Sequence, residues 1–95
     1  MYAAVRHYHF KKEESDKIDK LVQDLLMPLL KKAQGFISYY WLDTGEGEGA
    51  SLSVFEDKAG ADESIHIAAK FVKEYLGDDV MPQAEVIAGL GKDHG

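Results

Sequence analysis

The chain contains no cysteine, which excludes a disulfide framework, a thiolate nucleophile and iron–sulfur ligation. It also lacks a basic stripe. Eleven Lys and Arg are scattered among seventeen Asp and Glu, for a net charge of −6. Clustered cations are what phosphate binding needs, so no nucleic-acid partner is expected. The basic doublets Lys11–Lys12 and Lys31–Lys32 fall at element ends and read as solvated termini. No apolar run approaches the roughly 20 residues of a membrane-spanning helix, so no membrane association is expected. The opening MYAAVRHYHF has no charged region followed by a continuous apolar stretch. A secretory leader is therefore not expected, and the expected location is cytoplasmic. The one glycine-rich stretch, Gly45-Glu46-Gly47-Glu48-Gly49, has neither G-x-G-x-x-G nor Walker spacing, and its acids would repel phosphate. Nor does it carry the closing Glu of a calcium loop, which leaves it as a flexible, solubilising hairpin tip.

What is present is a single domain spanning 1–95. A chain this short hides only about two thirds of its unfolded surface on folding, so a further buried interface would help it. Its most informative stretch is Gly35 to Glu56. Ile37, Tyr39 and Trp41 alternate there with Phe36, Ser38, Tyr40 and Leu42; beyond the glycines, Leu52 and Val54 alternate with Ser51, Ser53 and Phe55. Period-two alternation of β-branched and aromatic residues predicts a hairpin. Residues 2–10 alternate likewise and predict a first strand, and Glu85 to Leu90 predict a last one. Ile18, Leu21, Val22, Leu25, Leu26, Leu29 and Leu30 follow helical spacing, with Ser15 as N-cap, a kink at Pro28 and a stop at Gly35. A second helix is capped by Asp57, becomes firm near Asp62, buries Ile65, Ala68, Ala69, Val72, Tyr75 and Leu76, and ends at Gly77. Asp78 to Pro82 reads as a turn and Gly91 to Gly95 as a frayed end.

The order strand, helix, strand, strand, helix, strand predicts an α+β chain of ferredoxin-like topology. Four antiparallel strands would form one sheet with both helices on one face. Small residues suit close packing under helices, so Ala3 and Val5 are assigned to the helix side of the first strand. That places Tyr2, Arg6 and Tyr8 on the open side. The hairpin register that sends Phe36 and Val54 into the helix core puts Ile37, Tyr39, Trp41, Ser53 and Phe55 beside them. A slip of one residue would bring Tyr40 and Leu42 there instead. An apolar patch of this kind is rarely left bare on a monomer, so a homodimer through the open sheet face is expected.

These residues resemble the dimeric α+β barrel superfamily, in particular small proteins of the antibiotic-biosynthesis-monooxygenase type. The resemblance runs through YAAVRHY, PLLKKAQGF, the hairpin ISYYWLDTGEGEGASLSVFED, AGADES leading to AAKFVKEYL, and EVIAGLG. It implies a homodimer with one pocket per subunit, between the sheet and the helices or within the barrel. Among such proteins some oxidise aromatic polyketides without a cofactor, some break down haem, and others are isomerases, decarboxylases or uncharacterised bacterial proteins with no established reaction. The haem-degrading branch uses an Asn–Trp–His set. This chain has no Asn, and its single Trp41 lies on the hairpin.

A cofactor-free oxygenase must stabilise the anion of a hydroxylated ring as it meets O2. Arg6 is the candidate for the oxyanion, since guanidinium is always charged and rich in donors. Tyr8 and Tyr39 are candidates to orient the substrate, and Trp41 to stack on its rings. Ser53 and Phe55 share their face and complete the expected binding set, with His66 at the pocket mouth. His7 and His9 stand at i, i+2 on one strand face, which can bring two imidazoles to one metal. With no third ligand legible in the sequence, they are expected to be a strand-end pair, one ring packed and one solvated, with no metal. The function expected from all this is cofactor-independent oxidation of a small aromatic or quinol-type compound. The alternative is a non-catalytic ligand-binding or stress-associated dimer.

Overall fold

Side-chain alternation and the glycines between runs divide the chain in the expected order, with two corrections. Glu48 and Gly49, expected in the hairpin tip, open the second hairpin strand because they pair with His9 and Tyr8, and the expected turn from Asp78 starts within a short helix, Gly77–Val80. A computed structural model describes residues 1–81 and 84–92. Strands β1 (Tyr2–His9), β2 (Phe36–Asp43), β3 (Glu48–Phe55) and β4 (Glu85–Leu90) form one antiparallel sheet in the order β2-β3-β1-β4. The chain thus has the ferredoxin-like α+β topology, with the hairpin strand β3 and the first strand β1 at the centre. Both helical layers lie on one face. Gly35 (φ +78°) and Gly77 (φ +77°) take the left-handed conformation just past the two helical segments, where a side chain would be strained. Pro82, the last residue of the expected turn, lies outside the described residues, as does the outer part of the end expected to fray.

The first helical segment runs Ser15–Leu21, then through a π-helical turn, Val22–Leu26, into Met27–Lys31. Pro28 enters at the start of that last piece. A proline in mid-helix removes one backbone donor and crowds the preceding turn; here the wider π turn just ahead of it adjusts the backbone. Ser15 is not an N-cap. A 3-10 turn, Lys12–Glu14, precedes it, and its hydroxyl donates to the Asp43 carboxylate. The second helix is firm from Lys58, because the Asp57 carboxylate accepts from the Gly60 amide at 3.1 Å. The hairpin tip is exposed but tied down. Gly47 carbonyl accepts from Phe10, the Thr44 amide donates to Glu48, and the Asp43 carboxylate accepts from Gly45.

The assignment of strand faces is reversed. Ala4, Arg6, Tyr8 and Phe10 are buried under the helices, whereas Val5 faces outward at 41% exposure. Ser51, Ser53 and Phe55 are buried on the same inner face, as is Tyr39. Val54, paired with Ser38, belongs to the outer face with Tyr40 and Leu42. A register shift between Phe36 and Ser38 allows Phe36 and Tyr39 both to point inward, leaving Ile37 exposed. The physical reason is that the small partners sit on the helix, not the strand. Gly60, Ala61, Ser64 and Ala68 form the buried stripe of the second helix, with Phe71. Large strand side chains fill the space these small residues leave. This stripe is turned from the expected one, and Ala69 and Tyr75 are exposed.

A Cβ placed on Gly60 would stand 2.6 Å from the Gln34 carbonyl oxygen and 2.8 Å from the Phe55 ring. Neither neighbour can retreat, one being backbone and the other fully buried. Gly60→Ala is therefore expected to lose about 1–2 kcal/mol, the overpacking cost exceeding the gain in helix propensity. A lowered urea midpoint with unchanged slope is the measurement that checks it.

Candidate functional site

The inner sheet face brings together residues that alternation alone aligns. Arg6 on β1 pairs with Ser51 on β3, and Ala4 pairs with Ser53. Both serines therefore flank the arginine on one face. The guanidinium is 2% exposed; its Nε donates to Ser51 Oγ at 3.0 Å and one terminal nitrogen donates to Ser53 Oγ at 2.9 Å. The other terminal nitrogen, Nη1, is buried with no hydrogen-bond partner among the described residues. Among those residues no carboxylate comes within ion-pair distance of it either. An interior cation normally has a counter-charge, because desolvation alone is costly. Arg6 is the only arginine in the chain.

Tyr8 and Tyr39 lie beside this charge. Burial pushes the Tyr39 phenol up to about 12, and the nearby Arg6 guanidinium only partly offsets that. The Tyr8 phenol is raised for the same dominant reason, against the pull of Arg6 and Ser51. Both are neutral phenols at physiological pH, able to donate a hydrogen bond but not to act as bases.

The two tyrosines form part of the wall of a cleft between sheet and helices. Ile18, Val22 and Leu26 of the first helical segment, Trp41 of β2, Phe71 and Val72 of the second helix, and Leu76 and Met81 close it. The cleft is narrow: about 250 Å3 of space between atoms lies within its walls and open mouth together, but the volume open to a water centre is about 10 Å3, room for roughly one water molecule. Trp41 stands 5.8 Å from the Tyr8 ring, and its indole nitrogen donates to Asp19 at 2.8 Å. Trp41 has room because Gly49 lies beneath it: a Cβ there would be 2.7 Å from the indole edge.

The expected set is thus brought together in part and on the inner face rather than the outer. Tyr8, Tyr39 and Trp41 line the cleft. Arg6 and Ser53 do not line it; they stand beside the phenols, the serine holding the guanidinium in place. Phe55 is a core residue, fully buried against Ala33 and Ala61 and edge-on to Phe36. His66 is exposed, because it sits about 200° around the helix from buried Ser64. Ser51 and Asp19 were not singled out from the sequence. Ser51 shares the alternation of Ser53 and was legible on that ground; the reach of Asp19 to Trp41 depends on how the helix docks.

No family model matches the chain, and no curated protein sequence matches it significantly. Solved structures do share its architecture. An antibiotic biosynthesis monooxygenase superposes with a TM-score of 0.74 at 16% identity, covering 98% of this chain and 100% of that one. A candidate antibiotic biosynthesis monooxygenase from Nitrosomonas europaea gives 0.76 at 9% identity, covering 96% and 98%. A dimeric ferredoxin-like protein from an uncultured marine organism gives 0.72 at 16% identity, covering 100% and 98%.

Two outcomes are expected. Replacing Arg6, Ser51 and Ser53 together by Met, Ala and Ala should leave the urea midpoint equal to or above that of the native chain, since a charge without a counter-ion is removed along with its partners. An arginine held for the fold would instead give a clearly lowered midpoint. Because the folded chain retains the Tyr39 proton between the ordinary phenol value and about 12, stability is fully present below about pH 10 and is lost as pH rises through 12. That loss amounts to about 3 kcal/mol for a shift of this size. Phenolate ultraviolet absorbance, followed alongside denaturation, checks it. At these identities the shared property is architecture, and the chain has the ferredoxin-like α+β fold of the antibiotic-biosynthesis-monooxygenase and dimeric ferredoxin-like proteins.

Proposed function

We propose that this chain is a cofactor-independent oxygenase, acting as a homodimer on a small hydroxylated aromatic or quinol-type compound. The observation that carries the reading is the buried Arg6 guanidinium, which has a free terminal nitrogen and no carboxylate among the described residues. Such a centre favours an anion, and beside it stand two neutral phenols that can donate to an oxygen bearing charge. The cleft wall is otherwise apolar, with Trp41 and Phe71 to meet the faces of a ring. Within it the substrate binds as its anion, Arg6 lowers the energy of that anion through the field it exerts on the phenols, and Tyr8 and Tyr39 orient the oxygen. The electrons for O2 then come from the ionised substrate itself. Among the described residues no carboxylate or imidazole lines the cleft, which favours a substrate whose own hydroxyl ionises readily in that field.

The dimer rests on the outer sheet face. Val5, Tyr40, Leu42 and Ile87 are 41–77% exposed there, and Leu52 and Val54 are partly exposed beside them. All six residues of β4 are exposed as well. This is a different set of side chains from the one expected, but it makes the same demand for cover. The fold is shared with a dimeric ferredoxin-like protein, which supports the same arrangement.

A second reading, a non-catalytic ligand-binding or stress-associated dimer, is favoured by the narrowness of the cleft. A ring enters only if lining side chains move outward.

Oxygen uptake with hydroxy-anthracene and quinol model substrates separates the two readings. The oxygenase reading expects turnover, and expects Tyr39→Phe to lower kcat about 100-fold or more, as loss of one oxyanion donor does. Binding of these compounds without oxygen uptake would establish the second reading. For the assembly, Leu42→Glu combined with Ile87→Glu is expected to convert a dimer into a monomer in sedimentation velocity.

A further inference from the structure

On the sheet face opposite Arg6, three potential metal ligands converge. His7 and His9 are two residues apart on β1 and so project on the same side. Glu48, the first residue of β3, is the direct cross-strand partner of His9. The backbone register itself therefore assembles the trio, without depending on a long side chain finding a distant partner. Glu48 Oε1 lies 3.7 Å from His7 Nε2 and 3.6 Å from His9 Nδ1. One ligand atom from each of the three lies within 4.8 Å of the others. The imidazole centroids are 4.6 Å apart with their planes at 62°. Glu48 stands beyond hydrogen-bond distance of either ring, so these contacts are not hydrogen bonds.

We propose that His7, His9 and Glu48 form a binding site for a divalent first-row transition metal ion of the zinc and copper class. Metal–ligand bonds of about 2.0–2.1 Å place neighbouring donor atoms roughly 3.3 Å apart in a tetrahedral set. The Glu48 distances already approach that value, and modest side-chain rotations bring all three donors to one centre. Two imidazole nitrogens and one carboxylate oxygen exclude magnesium and calcium as preferred occupants, since those ions take oxygen ligands. They suit zinc and copper, which accept imidazole readily. In the single chain all three residues are partly exposed, toward one end of the same outer face that the proposed dimer would cover, so an ion reaches them from solution before two such faces pair. Glu85 pairs with His7 across the β1–β4 ladder on the same face and adds negative charge nearby. The sequence shows the two histidines but not the third ligand. Glu48 is separated from them by about forty residues and reaches them only through the pairing of β1 with β3.

The test uses the untagged chain, Zn2+ competed against a chromophoric indicator, and Cu2+ electron paramagnetic resonance. One Zn2+ per chain is expected, with a Cu2+ spectrum showing coupling to two imidazole nitrogens. His7→Ala, His9→Ala and Glu48→Gln are each expected to weaken Zn2+ binding. Loss of an outer-shell partner alone costs about 10–100-fold, so loss of a direct ligand is expected to cost about 100-fold or more. His66→Ala should bind as the native chain does. Far-UV circular dichroism checks that the variants are folded, and the copper spectrum of the native chain stands independently of them. Absence of saturable Zn2+ binding would overturn the proposal. So would unchanged affinity in the folded His7→Ala/His9→Ala variant, which would place the ion on other groups.

Discussion

A guanidinium sealed between a sheet and its helices, with hydroxyl partners but, among the described residues, no carboxylate within ion-pair distance, is the constraint around which the inner face is arranged. Its two hydrogen bonds require small hydroxyl side chains at alternate positions of the neighbouring strand, and Ser51 and Ser53 supply them. A bulkier pair would deny Arg6 its place across the β1–β3 ladder. The charge in turn governs the two phenols beside it, whose burial would otherwise raise their proton affinity further. The helix facing this region presents Gly60, Ala61, Ser64 and Ala68, so its backbone can come close while the strand residues occupy the volume. Each of these choices makes sense only with the others.

The two faces of the sheet consequently have different chemistry. The inner one combines apolar cover with a cation and two neutral donors, an environment in which low effective dielectric magnifies electrostatic interactions. The outer one is apolar over much of its width, with Val5, Tyr40, Leu42 and Ile87 in solvent and a polar cluster of His7, His9 and Glu48 toward one end. A single isolated sheet with one bare apolar face is an incomplete packing arrangement, and layered domains ordinarily cover both. Architecture shared with a dimeric protein accords with that physical demand, while chemistry is a property of sites rather than of a fold. Among the described residues no helix is long and apolar enough to cross a membrane.

Packing also explains why the cleft is narrow. Ile18, Val22 and Leu26 approach from the first helical segment, with a π turn between Val22 and Leu26 altering which side chains point at the sheet. Trp41 enters from the strand because Gly49 leaves space under its ring, and Asp19 fixes the indole by accepting its N–H. The result is a wall ordered by polar contacts at its rim and by dispersion within.

The sequence by itself determined the element order, the strand boundaries at Phe36, Phe55, Glu85 and Leu90, the glycine stops at Gly35 and Gly77, and the grouping of Arg6, Tyr8, Tyr39, Trp41, Ser53 and Phe55 on one side of the sheet. These follow from local rules: period-two alternation, left-handed glycines and short connections. Which side that was remained open to tertiary structure, because turning every strand over leaves the alternation unchanged. The docking of a helix with a small-residue stripe chose the inward face, taking Arg6 from solvent and sending Val5 out to it. The same docking left His66 on the far side of its helix and made Phe55 a core residue. Strand pairing, which no local pattern encodes, brought Glu48 to the two histidines. Periodicity is a property of neighbours in the chain; burial and convergence belong to segments that meet only once the chain has folded.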